Sequence, residues 1–415
     1  MDDQKINLTN FKNLTSEIII IINLIQEIAN EVGIEEIAMV GGIVRDSLIN
    51  TSNRRSQLPL KDIDIVVQGS ASILTDAINS KIGNKIKRIQ KYKPYDTAEI
   101  EIDTLLIDIT SARDEKYPIL GGAPDVSYSD IKTDIKRRDF TINAMAIDLN
   151  RMRLIDPYNG QIDIRNRELK FLHHRSVADD PTRVIRAGRY SSRLNFNLDS
   201  NAKNQIKSTI KTWPWKWHQE NVIKDIPQSL STRLRAEIKL LFSELHWEEA
   251  LSNIRDCDGL LLLDTSLQSD FNINRRIKLA HELKIDPLTA LISGSINPIR
   301  LSERLQINQT QKKIINCALN LKDSIEKMNI VDEVMAWSPS RWSSEIEQRN
   351  YPHDAIGLLI CNQVWFYKPL IKWYKKWRFI KSPISSETLL SQGWESGPKL
   401  GNELKRLRYE ILDSE

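Results

Sequence analysis

The residues best suited to chemistry are two aspartates one position apart in an otherwise apolar run. Asp62 and Asp64 lie in Lys61-Asp-Ile-Asp-Ile-Val-Val67, a composition that predicts a strand. Side chains at i and i+2 of a strand share a face, so these two carboxylates lie side by side. Ionised oxygens are the ligands that Mg²⁺ prefers, which predicts metal-dependent phosphoryl or nucleotidyl transfer. The alternative is a solvated acid pair on an edge strand, although acids in so apolar a strand cost stability unless they coordinate something.

A third carboxylate, Asp108, has the same apolar flanks in Leu105-Leu-Ile-Asp-Ile-Thr110. Two or three carboxylates with Mg²⁺ would hold a triphosphate, activate an attacking hydroxyl and stabilise the leaving pyrophosphate. We therefore predict Asp62 and Asp64 as metal ligands, and these two with Asp108 as the catalytic carboxylates.

A double glycine lies upstream, in Met39-Val-Gly-Gly-Ile-Val-Arg-Asp46. Between a strand and a helix, such a pair is common in plain turns, where it supplies a positive φ. The functional alternative is that Gly42 lets backbone N–H groups approach a phosphate at a helix N-terminus. Arg45, one turn further on, would then face the same phosphate.

A basic pair occurs in Lys136-Arg-Arg-Asp-Phe-Thr-Ile-Asn-Ala-Met-Ala146. It is either a solvated helix end or, since the following residues are small and apolar, a pair of charges at the edge of a packed element. In the second case Arg137 and Arg138 would complete a clamp on the triphosphate.

Four arginines recur at helical spacing after Asp180-Pro181, a good N-cap and N1 pair. They share one helical face, which is either solvated or a cationic ridge for nucleotide or RNA phosphates. An Asp and an Arg one turn apart also match a Watson–Crick edge: the Arg fork donates to O2 and N3 of cytosine, and the Asp accepts from N4. The arginines are Arg183, Arg186, Arg189 and Arg193, with Tyr190 as the alternative to Arg189 on this face.

The bulk composition fits a globular protein of two to four domains. The chain has 415 residues, 40% hydrophobic and 27% charged, with a net charge of +4. The mildly basic balance permits a polyanionic partner. Three cysteines without paired spacing argue against disulfides or a zinc site and predict a reducing, cytoplasmic compartment. Met-Asp-Asp at the start predicts no signal peptide, and the apolar run 18–25 is too short to span a bilayer.

The pattern of elements predicts an α+β fold with an all-helical remainder. We expect helices at 15–33, 43–49 and 70–83, strands at 36–40, 61–67, 85–90 and 98–109, and a loop at 50–60. From about 176 the pattern predicts helix after helix, at 180–196, 200–212, 229–244, 246–256 and 302–328. The last residues combine lysines with aromatics at a spacing typical of a packed helix face, or of a basic surface for RNA.

These four motifs, in this order, resemble those of the class II tRNA nucleotidyltransferases (CCA-adding enzymes) and their bacterial poly(A) polymerase relatives. That family shows Gly-Gly-x-Val-Arg-Asp, Asp-x-Asp, Arg-Arg-Asp-Phe-Thr-x-Asn-Ala and Glu-Asp-x-x-Arg-x-x-Arg. Here Asp179 replaces the family Glu, and the loop before Asp62 is longer than usual. Arg233-Leu-Arg-Ala-Glu237 and Gly397-Pro-Lys-Leu-Gly401 are similar to shorter family motifs.

The resemblance implies a polymerase-β-type head followed by an all-α neck, body and tail. The expected divisions are an N-terminal helix at 1–34, the head at 35–155, the neck at 156–245 and the body with tail at 246–415. Around the incoming triphosphate it implies Gly42, Arg45, Arg137 and Arg138. As the protein template that selects CTP and then ATP it implies Asp180, Arg183, Arg186 and Arg189.

The implied function is Mg²⁺-dependent addition of CCA to the 3′ acceptor end of tRNA, without membrane association or an obligate protein partner. The segment from Asp108 through Gly121-Gly-Ala-Pro-Asp-Val126 resembles the family's flexible loop, which disfavours a CC-only enzyme. The alternatives are an A-only enzyme, a poly(A) polymerase, or a catalytically inactive RNA-binding protein.

Overall fold

A computed structural model of the chain describes residues 5–52, 62–212, 227–328 and 331–415. Most of the loop expected at 50–60, and Lys61, lie outside the described residues. The chain divides into two compact units. The first covers the described residues of Met1–Lys216, Asn221–Arg233 and Glu244–Gly259, and the second those of Leu234–Ser243 and Leu260–Glu415.

The first unit is built on a seven-stranded mixed sheet. Strands in the first unit are β1 (Ile37–Val40), β2 (Asp62–Val67), β3 (Ile86–Tyr92), β4 (Thr97–Ile102), β5 (Leu105–Ser111), β6 (Arg113–Lys116), β7 (Asp125–Tyr128), β8 (Ala146–Asp148), β9 (Arg153–Ile155), β10 (Glu168–Leu169) and β11 (Asn197–Leu198). The large sheet has the order β3-β4-β5-β2-β1-β8-β9, while β6 pairs with β7 and β10 with β11. Strand β2 is therefore central, parallel to β5 and antiparallel to β1.

Helices of this unit are interspersed with the strands along the chain. They are α1 (Ser16–Glu31), α2 (Gly42–Ser52), α3 (Ala71–Ile82), α4 (Ile131–Lys136), α5 (Gly160–Asn166), α6 (Ser176–Asp179), α7 (Arg183–Leu194), α8 (Ser200–Lys211), α9 (Gln228–Ser243) and α10 (Trp247–Asp256). Helix α9 is divided between the units: its residues up to Arg233 belong to the first unit, and those from Leu234 to Ser243 belong to the second.

Burial of apolar faces explains why these elements form. In α1 the side chains of Ile22, Ile25 and Ile28 recur at helical spacing and are buried, and Thr15 caps the first turn by accepting from the Ile18 N–H. Alternate residues of β4 are buried, as expected for a strand with one face on the core. Helices α7 and α10 pack closely because Gly188 has no side chain: a Cβ there would lie 2.4 Å from Ile254 Cγ1.

The second unit is helical. Its helices are α11 (Thr265–Gln268), α12 (Ile273–Leu283), α13 (Pro287–Ser293), α14 (Pro298–Arg304), α15 (Gln309–Glu326), α16 (Val331–Met335), α17 (Pro339–Glu347), α18 (His353–Cys361), α19 (Tyr367–Lys375), α20 (Ser386–Ser391) and α21 (Pro398–Asp413). Helix α15 begins with a capping box in which Asn308 and Gln311 satisfy each other's backbone N–H groups. Trp342 and Phe366 stack in the core at 6.0 Å between ring centroids.

The aromatic and basic residues near the C-terminus fall on different faces. Trp373 and Trp377 are buried, and the Trp373 indole N–H donates to Glu347 at 3.0 Å. Lys368, Lys372 and Lys375 of the same region are exposed. The packed-face interpretation therefore holds for these two tryptophans, while the lysines leave a cationic surface.

The α+β class predicted from the pattern is confirmed, and the differences concern element boundaries. The expected strand at 98–109 is two antiparallel strands, β4 and β5, and the expected helix at 302–328 is split between α14 and α15. The predicted N-cap at Asp180 is wrong by two residues, because α7 begins at Arg183 after Thr182. Asp180 instead accepts hydrogen bonds from Thr182 itself.

None of the described helices combines the length and the apolar character that crossing a bilayer requires.

Candidate active site

A row of carboxylates crosses the central strands. Asp64 of β2 lies directly opposite Asp108 of β5, and Asp108 lies directly opposite Glu99 of β4. Residues opposite each other on paired strands project to the same face, and Asp62 shares that face because it precedes Asp64 by two positions. The structure therefore brings the three predicted catalytic carboxylates onto one face and adds Glu99, which the sequence did not identify.

The charges in this row disfavour one another. Burial raises the pKa of Asp64, and the charge of Asp62 acts in the same direction. Burial raises the pKa of Asp108 to about 6, and the charges of Asp64 and Glu99 add to that effect. A bound cation would reduce the repulsion between these carboxylates, which is strong because they are partly shielded from water.

The donor set suits a hard divalent ion, because it consists of carboxylate oxygens. Within 5–52, 62–212, 227–328 and 331–415, no group of three or more His, Cys, Asp or Glu side chains is arranged to hold a metal ion by itself. Two neighbouring carboxylates such as Asp62 and Asp64 fit a site in which a substrate's phosphate oxygens and water complete the coordination shell, as is usual for Mg²⁺.

The double glycine leaves space for other groups beside Asp64. Gly41 ends β1 with φ of +72°, the left-handed conformation expected of a glycine turn. A Cβ on Gly41 would lie 2.9 Å from Arg138 Nη1 and 3.2 Å from Asp64 Oδ2. Helix α2 begins at Gly42, whose backbone N–H donates to Asp64. The missing side chain at Gly41 is therefore what lets Arg138 and Asp64 approach the backbone here.

Arg137 and Arg138 do not form a freely solvated helix end. Both pair with the buried Asp134, at 2.7 Å from Arg137 Nη2 and 3.1 Å from Arg138 Nη2. Arg137 also pairs with Glu115 of β6 at 2.9 Å. Arg138 Nε is buried and has no hydrogen-bond partner within the described part of the chain. The interpretation that these charges lie at the edge of a packed element is the one the geometry favours.

Arg45 is buried, with only 2% of its surface exposed. Its Nε donates to Asp46 at 2.7 Å and its Nη1 to Asn143 at 2.6 Å. Its guanidinium carbon also lies 5.0 Å from the centroid of the Tyr190 ring. These contacts join the glycine motif to the Arg-Arg-Asp motif and to α7, so the most evident role of Arg45 is to fix the geometry between them.

Asp139 extends the same buried network. It accepts from Arg186 at 2.7 Å and from the Asn143 amide at 2.9 Å. Burial opposes its ionisation, but the Arg186 guanidinium and the Asn143 amide outweigh burial and lower the pKa of Asp139 to about 2. Asn143, for which the sequence predicted no role, bridges Arg45 and Asp139 by hydrogen bonds.

The arginines of α7 share a face, as predicted, but that face is not a solvated ridge. Arg183 and Arg189 are buried, and Arg189 pairs with Glu244 at 3.0 Å. Arg183 Nη2 donates to the backbone carbonyl of Arg137 at 2.7 Å, while its buried Nη1 has no partner among the residues the structure describes. Arg183 thus retains a desolvated donor, which is the feature that an acceptor on a ligand would satisfy.

Asp180, predicted to act with Arg183, lies at the end of α6. Its Oδ1 accepts from the Thr182 N–H at 3.1 Å and the Thr182 hydroxyl at 2.7 Å. Its Oδ2 pairs with Arg233 Nη1 of α9 at 3.0 Å. No sequence signal connected Arg233 with Asp180, because the two are far apart in the chain.

The chain is similar to known proteins in sequence and in fold. The family model for the poly A polymerase head domain matches residues 37–170. The chain is 34% identical over 402 residues to an A-adding tRNA nucleotidyltransferase of Aquifex aeolicus, covering 90% of this chain and 44% of that one. It is 27% identical over 399 residues to a CCA-adding enzyme of Francisella tularensis subsp. novicida, covering 90% of this chain and 97% of that one.

A solved structure described as that of a CCA-adding enzyme in apo form II shares the fold, with a TM-score of 0.74 at 23% identity, covering 100% of this chain and 96% of that chain. The chain spans roughly half or less of the length of the A-adding relatives it matches. Residues 37–170 match the family model of the poly A polymerase head domain, and the resemblance to tRNA nucleotidyltransferases and poly(A) polymerases indicated by the four motifs is confirmed.

Proposed function

We propose that the chain is a template-independent nucleotidyltransferase that adds CCA to the 3′ end of tRNA from CTP and ATP and releases pyrophosphate. The observation that carries the proposal is the register that sets Asp64 opposite Asp108, beside Gly41 and Arg138. The names of similar proteins indicate the substrate class, because they include CCA-adding and A-adding enzymes. One solved structure of the same fold is described as a complex with tRNA and others as complexes with ATP or CTP.

In this proposal the carboxylate row carries the chemistry. Asp62 and Asp64 would hold Mg²⁺, which would supply charge stabilisation for the triphosphate and polarise the attacking hydroxyl. The 3′-hydroxyl oxygen of the RNA forms a bond to the α-phosphorus, and the bond from that phosphorus to the pyrophosphate oxygen breaks. Asp108, ionised above its pKa of about 6, accepts the hydroxyl proton.

The cationic residues hold the nucleotide. Arg138 lies against the glycine turn beside Asp64, where a triphosphate would lie, and Arg137 steadies that region through Asp134. Gly42 at the start of α2 contributes the helix N-terminus. Arg45 acts from within the fold, by holding Asn143 and Tyr190.

Base selection falls to Asp180 and Arg183. The buried Nη1 of Arg183, which has no partner in the part of the chain that the structure describes, donates to the base, and Asp180 accepts from the exocyclic amino group of cytosine or adenine. Arg186 and Arg189 support this pair through Asp139 and Glu244. The division into N-terminal helix, head, neck and body with tail belongs to the same proposal, with the exposed lysines near the C-terminus available for tRNA phosphates. So does a cytoplasmic location, with which three buried, unpaired cysteine thiols agree.

The test uses three RNA substrates: tRNA ending at the discriminator base, tRNA ending in CC, and an unrelated RNA. We expect C, C and A to be added to the first, A to the second, and nothing to the third. Asp64→Ala should abolish addition while leaving tRNA binding intact, because the proposal assigns tRNA phosphates to the exposed lysines near the C-terminus. Absence of addition by the wild-type protein with Mg²⁺ and any NTP would leave an inactive RNA-binding protein as the remaining interpretation.

A second candidate is A-only addition, favoured by the names of the A-adding relatives. Such an enzyme would extend tRNA ending in CC but would not incorporate CTP onto the discriminator base. Long A tracts on the unrelated RNA would instead identify a poly(A) polymerase.

A further inference from the structure

Arg233 of α9 contacts two features at once. Its Nη1 pairs with Asp180 Oδ2 at 3.0 Å. Its Nη2 donates to the backbone carbonyls of Gly121 and Gly122, at 2.7 and 2.9 Å. Those glycines lie between β6 and β7, in the segment connecting the two strands of the hairpin. A single guanidinium therefore ties the connection of this hairpin to the acid expected to read the base.

The carboxylate of Asp180 is held at both oxygens. Thr182 donates twice to Oδ1, from its backbone N–H and its hydroxyl, and Arg233 donates to Oδ2. A carboxylate oxygen has lone pairs for two donors, so Oδ2 can accept one more hydrogen bond without releasing Arg233. Because the carboxylate cannot rotate while both oxygens are engaged, the direction of that remaining lone pair is fixed.

Strand β6 has an attachment of its own. Glu115 of β6 accepts from Arg137 at 2.9 Å and from the Tyr117 hydroxyl at 2.8 Å. Arg183, the partner of Asp180 in reading the base, donates to the Arg137 carbonyl. Loss of Arg233 would therefore release the connecting glycines and Asp180 Oδ2, while Thr182 still holds Asp180 Oδ1 and strand β6 keeps its own attachment.

We propose that Arg233 is a positioning residue for base selection, which aims Asp180 Oδ2 at the exocyclic amino group of the incoming nucleotide and holds Gly121-Gly122 beside it. The inference rests on the proposed nucleotidyl transfer. CTP and ATP carry an amino donor at position 4 or 6 of the base, whereas UTP and GTP carry a carbonyl oxygen there. A fixed carboxylate accepts from the first pair and repels the second, and a carboxylate free to rotate discriminates less.

The experiment compares kcat/KM for the four nucleotides on tRNA lacking part of its CCA end. In Arg233→Ala the preference for CTP over UTP, and for ATP over GTP, is expected to fall on the order of tenfold, as for loss of one charge-assisted hydrogen bond. Arg233→Lys retains the charge without the fork and should keep part of the preference. Lys239→Ala, an exposed cation on the same helix, is the matched control and should keep the full preference.

A role in folding alone would lower all four values together, and that result would overturn the inference. An unchanged preference in Arg233→Ala, with wild-type activity present, would also overturn it while leaving the proposed function standing. Absence of addition by the wild type would reject the proposed function itself. Thermal unfolding of each variant identifies a folding defect.

A double-mutant cycle provides an independent check. If Arg233 acts through Asp180, Arg233→Ala should change the nucleotide preference little when Asp180→Ala is already present. Equal effects of Arg233→Ala in both backgrounds would show that it acts by another route and would contradict the inference.

Discussion

Arg45 Nη1 donates to Asn143 Oδ1 at 2.6 Å, which joins two motifs that are 98 positions apart in the chain. Asn143 in turn donates to Asp139, which accepts from Arg186 of α7. One buried polar network thus connects the glycine motif, the Arg-Arg-Asp motif and α7. Each buried charge in it has lost its contact with water and is stabilised by its neighbours in the network.

Removing the amide at the centre of this network should be costly. Asn143→Leu leaves Arg45 Nη1 and one bond of Asp139 without a partner in a buried place. We expect the first unit to lose about 2 to 4 kcal/mol of stability, since unsatisfied buried charges carry most of the penalty. Urea and thermal unfolding of the variant and wild type measure the difference.

The control is Asn204→Ala, an exposed residue of α8 for which a change within about 0.5 kcal/mol is expected. A similar small change for Asn143→Leu would mean that the network is not as tightly coupled as its distances indicate.

Gly41→Ala tests the close approach beside the carboxylates. The added Cβ meets Arg138 Nη1 at 2.9 Å and Asp64 Oδ2 at 3.2 Å, on a backbone with φ of +72° that alanine adopts with strain. Arg138 and Asp64 must therefore shift, and we expect kcat/KM for nucleotide addition to fall about tenfold or more, because a small misplacement of reacting groups is enough for this.

Gly401→Ala provides the comparison, because nothing lies within 4 Å of a Cβ there and the residue is inside α21. Alanine in a helix interior is favoured over glycine by about 1 kcal/mol, so activity should be unchanged and stability equal or higher. Full activity in Gly41→Ala would contradict the assigned role of the glycine turn.

The pH dependence of stability should report on Asp139. Its folded pKa of about 2 is below the unfolded value of about 3.9, so the stabilisation is complete above about pH 5 and is lost as the pH falls toward 2. The shift corresponds to about 2 to 3 kcal/mol at neutral pH. Asp139→Asn should remove this pH-dependent part, so that the difference in unfolding free energy between wild type and variant narrows below pH 4.

A difference that stays constant from pH 7 to pH 2 would show that the effect of the substitution is steric and unrelated to ionisation. Asp199→Asn, which replaces a helix-capping acid with another good capping residue, serves as the reference for a change of aspartate to asparagine.

The sequence predicts those parts of the site that depend on residues close together in the chain, and it misses those that depend on residues far apart. Asp62 and Asp64 could be placed on one face because strand alternation is local, and apolar flanks were enough to identify Asp108. Glu99 was missed because only the register between β4 and β5 sets it opposite Asp108, and register is not readable from one strand.

Helix α7 also has contacts that the sequence alone does not predict. Periodicity predicts that Arg183, Arg186 and Arg189 share a face, but it does not show that partners distant in sequence bury that face. Asp139 and Glu244 supply those partners, 47 and 55 positions away from the arginines they bind. Likewise, Asp180-Pro181 is typical of a helix start, yet the Asp180 side chain is held by Thr182 and Arg233 and the helix begins later.

Arg138→Lys separates charge from geometry next to Asp64. Arg138 spans from Asp134, 3.1 Å from its Nη2, to the glycine turn, where its Nη1 lies, and its buried Nε has no partner in the described residues. Lysine keeps the charge but has no fork with which to reach both places. If Arg138 binds the triphosphate, the KM for CTP and ATP should rise about tenfold, as for loss of one charged hydrogen bond, with a smaller change in kcat.

The control is Arg165→Lys, at an exposed residue of α5, which should leave both constants unchanged. A fall in kcat at constant KM would instead assign Arg138 to the transition state, because that pattern marks an interaction made only as the bond to the α-phosphorus forms.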